Sequence, residues 1–147
     1  WSPSVVILRH NTIADNGAIG LTVEEFNTVV LTNTILSGHA VGISSTASTA
    51  LVIADYTLWW PHQSVAAVGH TVTTTHDITG SPAFVNPSAF NYHIASESAA
   101  IDAGANAGVT ADIDGDMRPQ AGGYDIGADE YTPIVWRYLY LPAIWRD

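Results

Sequence analysis

The sequence predicts an all-β chain folded as a right-handed parallel β-helix, a solenoid of 22-residue coils, and three observations carry that expectation. First, His10-Asn11-Thr12-Ile13 returns 22 residues later as Thr32-Asn33-Thr34-Ile35, then as Ala54-Asp55-Tyr56-Thr57 and His76-Asp77-Ile78-Thr79. Second, flanking apolar columns keep step: Val6-Ile7-Leu8 with Thr28-Val29-Val30, and Ile19-Gly20-Leu21 with Val41-Gly42-Ile43. Third, each period holds short β-branched runs broken by Gly, Asn or Ser, and no segment carries an apolar stripe of helical period.

The repeated Asn or Asp is the expected corner residue, because both types tolerate left-handed backbone and bond their own main chain. Asn11, Asn33, Asp55 and Asp77 are therefore expected as one ladder, with neighbouring rungs about 4.8 Å apart. A leucine-rich repeat also places an Asn once per period. It would want Leu five and three residues earlier, where this chain has Val6, Thr28, Ala50 and Leu8, Val30, Val52.

Residues 1–95 form the expected coils. The chain enters directly on a strand, Ser4 to Leu8, with nothing to cover the first coil, a liability that proteins normally manage. Either upstream coils precede Trp1 or another subunit covers that end. The third coil carries Trp59-Trp60-Pro61, whose rings suit stacking on the sugar of a cell-surface glycan, or else close a widened coil.

Residues 96–131 read as an acidic, Gly-rich cap. The order Ser81-Pro82-Ala83-Phe84, Tyr92-His93-Ile94, Ala99-Ala100-Ile101-Asp102-Ala103-Gly104, Asp112 to Pro119 and Asp125 to Tyr131 is distinctive. It resembles the C-terminal module of exported bacterial β-helix proteins of the choice-of-anchor and polymorphic-outer-membrane type. That resemblance implies a β-helix displayed outside the cell and no single activity, since structural and catalytic members share the module. Residues 132–147 form a β-prone run with almost no charge: Trp136, Tyr138, Leu139, Tyr140, Leu141, Ile144 and Trp145 are expected to dock as an assembly connector.

Composition narrows the partners. The 147 residues include four arginines and no lysine against 14 acidic residues, a formal charge of −10. Nothing here would displace counterions from a nucleic acid, and no polybasic patch would hold an anionic membrane. No run approaches the roughly 18 apolar residues of a spanning helix. Cysteine is absent, so disulfides and thiolate metal sites are excluded. The chain begins on Trp1 without a signal peptide, and is expected to be a processed product or the ordered part of something longer.

The clearest candidate for ion binding is Asp112, Asp114 and Asp116, alternating about Gly115, which suit calcium; the alternative is a turn whose carboxylates bond backbone NH groups and pair with Arg118. Asp55 and Asp77 in neighbouring coils have the separation of a retaining glycosidase pair, about 5 Å, but their ladder continues as Asn, which favours corner geometry. With no Lys and only Arg9 among the coils, lyase chemistry lacks a base, and the histidines show no metal-ligand spacing. The chain is expected to be non-catalytic: an extracellular or cell-surface structural protein that assembles head to tail into a filament of identical copies. The alternative is the C-terminal part of a larger glycan-binding or glycan-degrading surface protein.

Overall fold

A computed structural model of the chain describes residues 2–61, 67–69 and 71–133. It is all-β: among the described residues there are ten strands, and the only helical turn is a 3-10 turn at Pro87–Ala89. The strands are β1 (Ser4–Ala14), β2 (Ile19–Val23), β3 (Asn27–Ser37), β4 (Val41–Ser45), β5 (Leu51–Trp60), β6 (Ala67–Gly69), β7 (Val72–Thr75), β8 (Ile78–Thr79), β9 (Phe84–Asn86) and β10 (Asn91–Ile94). One sheet runs β1-β3-β5-β7, with β8 also on β5; a second runs β2-β4-β6; and β9 with β10 makes a third of two strands. Pairing is parallel throughout the first two sheets and antiparallel in the third.

The register differs from the 22-residue expectation. In the larger sheet Ser4 pairs with Asn27 and Thr28 with Leu51, a step of 23, and Val52 then pairs with Val72, a step of 20. In the smaller sheet Ile19 pairs with Val41, a step of 22, and Ile43 with Ala67, a step of 24. Connections of unequal length account for the difference: four residues, Asp15 to Ala18, join β1 to β2, whereas three, Gly38 to Ala40, join β3 to β4. A one-residue shift would turn every side chain to the other face, so burial selects the register. The step of 23 aligns Val6 with Val29 and Val52, and Leu8 with Leu31 and Ala54; Val29, Leu31, Val52 and Ala54 are buried in one core, with Leu8 packed against it.

Each long strand is bent by one residue in left-handed conformation. His10, Asn33, Tyr56 and His76 have φ of 52°, 53°, 52° and 51°, and they align across β1, β3, β5 and the turn after β7. The bend reverses the phase of alternation. Leu31 before it and Leu36 after it both face the core between the two main sheets, beside Val52, Ile43 and Trp59. Ile35 and Leu58 consequently face outward, where an apolar residue needs cover. Ile94, Ala100 and Ile126 supply it, with Tyr56, Ile78 and Phe84 at the margin. The acidic segment is thus packed along the flank of the sheets, not set across their end as a cap.

Candidate functional site

Asn33 is the joint between the sheets and the acidic segment. It is fully buried; its Oδ1 accepts the Ala105 NH at 2.9 Å and its Nδ2 donates to the Ala105 carbonyl at 2.6 Å. The same Nδ2 lies 2.9 Å from His10 Nε2, which must then accept, leaving the ring proton on Nδ1. Burial first, and the nearby Arg118 charge second, lower the His10 pKa to about 4, so the ring is neutral at neutral pH. Two further bonds close the joint: Gly127 NH to the Asn33 carbonyl at 2.9 Å, and Ala128 NH to Thr12 Oγ1 at 3.1 Å. Gly127 has a φ of +113°, and a Cβ there would meet Ile35 Cδ1 at 2.6 Å, so glycine permits this approach.

The expected ladder is corrected. Asn11 lies beside Thr34, not Asn33, and its amide only donates to the Arg9 carbonyl. Asp55 lies between Thr32 and Thr75, and accepts from Thr75 Oγ1 and His76 Nδ1. Asp77 precedes the pairing of Ile78 with Leu58, and so stands opposite Thr57 in another column. Its carboxylate accepts the Thr57 NH and the Trp59 indole NH, each at 2.9 Å, where the break between β7 and β8 leaves β5 without a strand partner. Burial raises the Asp77 pKa, opposed by those two donors. Of the four residues only Asn33 occupies the left-handed column. Each Asp side chain is engaged by the neighbouring strand, Asp55 by β7 and the turn after it and Asp77 by β5, and neither is paired with the other.

Trp59 and Trp60 do not form a paired stacking platform. Neighbouring strand residues point to opposite faces: Trp59 is buried against Gly42, whereas Trp60 is 39% exposed before Pro61. The assembly residues Trp136, Tyr138, Leu139, Tyr140, Leu141, Ile144 and Trp145 lie outside the described residues.

The acidic motifs hold backbone. Irregular chain has few ladder partners, so carboxylates take the role of acceptors for its buried NH groups. Asp125 accepts from Asp102 and Tyr131, Asp102 from Gly122, and Glu130 from Gln120 and Asp125. Arg118 ends among them, its guanidinium 2.7 Å from Glu130 with both side chains wholly buried. Burial raises the Asp125 pKa to about 6. Asp112 Oδ1 accepts the NH groups of Asp114 and Asp116, while Oδ2 accepts that of Glu130. The carboxylates of Asp112, Asp114 and Asp116 therefore do not converge, because Asp112 is turned to its own loop. Arg118 pairs with Glu130, and not with Asp112 or Asp116.

A different group does converge. Among the described residues, one set of three or more metal-competent side chains comes together: His93, Asp114 and Asp129, with ligand atoms all within 4.8 Å of one another. His93 and Asp129 border a cleft of about 240 Å³, walled also by Thr12, Phe90, Tyr92 and Ile113. Sequence spacing could not find this set, because positions 93, 114 and 129 come from a strand and two separate loops. In comparisons with known proteins, no family model, no curated protein and no solved structure matches the chain. No helix among the described residues is long and apolar enough to cross a membrane.

Proposed function

We propose that the chain is a right-handed parallel β-helix acting as a structural protein outside the cell or on its surface, and that it assembles head to tail with further copies of itself. The parallel order β1-β3-β5-β7 beside β2-β4-β6 supports the β-helix, since each circuit moves one strand along both sheets. Right-handedness follows from the near-universal hand of parallel crossovers. Export rests on the motif resemblance over residues 77–131.

One observation carries the assembly. Val6 shares the inward column of Val29 and Val52, which are 5% and 0% exposed, yet Val6 itself is 44% exposed. Its side chain lies at the edge strand, where no further strand covers it among the described residues. The β1 edge is likewise unpaired among the described residues, and Ser4 to Leu8 carry no charge to repel a partner strand. The opposite end of the sheet, Val72 to Thr75, is also uncharged. A second copy presenting that end would continue both the ladder and the core, with the strand-prone segment 133–147 as connector. Contact between unlike surfaces does not close on itself in general, so the product is a filament. The catalytic alternative has no such support, since Asp55 and Asp77 are engaged by their neighbours and Trp59 is buried.

Sedimentation over a concentration series, with negative-stain imaging, tests this. The intact chain should form filaments, and Val6→Lys and a deletion of residues 133–147 should each yield folded monomers. An intact chain that stays monomeric at high concentration would falsify the assembly.

A further inference from the structure

The geometry points to a divalent transition-metal site, suited to zinc, formed by His93 Nε2 and the carboxylates of Asp114 and Asp129. It is distinct from assembly and does not depend on it.

The imidazole supplies the first argument. Asn91 Oδ1 accepts the His93 backbone NH at 3.2 Å, which fixes its amide with the oxygen toward the ring. That oxygen is 2.6 Å from Nδ1, so Nδ1 is the donor there. Nε2 faces a second acceptor, Asp114 Oδ2, at 2.8 Å. With Nδ1 engaged by Asn91, Nε2 is the ring nitrogen left to bind a cation beside the Asp114 carboxylate. Metal-bound histidines almost always donate their other ring NH to an oxygen, as Nδ1 does here.

The buried carboxylate supplies the second, independent argument. Asp129 is 7% exposed, and one oxygen accepts the Ile94 NH at 2.7 Å. Its other oxygen has no hydrogen-bond partner among the described residues, and the side chain lines the cleft beside His93. Neither Arg9 nor Arg118 forms an ion pair with Asp114 or Asp129. Two carboxylates and an imidazole thus lie within 4.8 Å without a protein cation of permanent charge. Ligands at the usual zinc bond lengths stand about 3.3 Å apart. Asp114 sits on an exposed turn, 56% accessible at its side chain, so the adjustment falls on the part of the site free to move.

The donor set selects the ion. Calcium takes oxygen ligands in number, whereas one imidazole with two carboxylates suits zinc or its first-row neighbours. Bound there, the ion would tie β10 to the loops carrying Asp114 and Asp129. The remaining coordination position would open on the cleft.

The test uses the full chain, stripped with a chelator and dialysed, then titrated with zinc by calorimetry and followed by thermal melting. One zinc per chain is expected, with a melting temperature raised by roughly 5 °C or more at a hundredfold excess over Kd. Cobalt should give visible absorption bands of a low-symmetry, nitrogen-containing site. Asp114→Asn is the decisive variant, because it lies on an exposed turn and its amide can still meet His93. It should melt like the metal-free parent and lose at least about tenfold in zinc affinity. His93→Gln should lose as much. No binding at millimolar zinc, equal binding by Asp114→Asn, or an equal response to calcium would each overturn the site.

Discussion

Asn33 grips Ala105 with both ends of its amide, donating to the carbonyl at 2.6 Å and accepting the NH at 2.9 Å across 72 residues of sequence. A strand residue held at a φ of 53° is there completing the main chain of a distant loop. Two demands meet at this position, a left-handed corner and an amide for the loop, and Asn satisfies both. Asn33→Gly keeps the corner and removes the grip, and should cost roughly 1–3 kcal/mol in urea denaturation. Asn33→Ala also incurs the left-handed strain and should cost about 1 kcal/mol more than the glycine variant.

His10 gives stability a pH dependence with a definite sign. Its folded pKa, about 4, lies below the unfolded value of 6.5. The folded state favours the neutral ring, so its contribution is intact above 6.5 and is lost as pH falls toward 4. Asp125, raised to about 6, acts in the opposite direction: its contribution is present below its ordinary value of 3.8 and is lost as pH rises through 6. Asp77 and Asp129, also raised, act with it. Between pH 4 and 6.5 the two trends oppose in the parent protein. His10→Asn, which tolerates the corner, should remove the first, leaving a variant whose melting temperature falls as pH rises from 4.5 to 6.5.

The Arg118–Glu130 pair has no solvent at either side chain, and Glu130 also accepts two backbone NH groups. Removing one partner leaves a buried charge without compensation, so Glu130→Gln should destabilise by roughly 3–5 kcal/mol. Arg118→Lys should not restore it, because a single ammonium cannot reach Glu130 and the Asp125 and Gly127 carbonyls together. Chemical denaturation of both variants checks this.

Gly42 admits the Trp59 ring. A Cβ at this position would stand 2.6 Å from Trp59 Cζ3, so Gly42→Ala should displace the indole and strain its bond to Asp77. A loss of about 1–3 kcal/mol is expected, with a change in near-ultraviolet circular dichroism. An unchanged spectrum would show that the indole is not displaced.

Local pattern was enough for the all-β class, for the pairing of Ile19 to Leu21 with Val41 to Ile43, and for reading the Asp112 turn as one that can bond backbone NH groups. β-branched runs, breakers and apolar alternation act within a few residues, and so they appear directly in sequence. The corner column did not appear there. The conspicuous Asn and Asp of the 22-residue period led to Asn11, Asp55 and Asp77, whereas His10, Tyr56 and His76 adopt the left-handed conformation. Register is chosen by which residues bury together across neighbouring strands, and connections of unequal length make its step vary from 20 to 24. The Asn33–Ala105 grip, the Arg118–Glu130 pair and the meeting of His93, Asp114 and Asp129 likewise belong to the tertiary structure. Each answers a need that arises only on packing, when an outward Ile35 or Leu58 has been covered and the buried polar groups around it require partners.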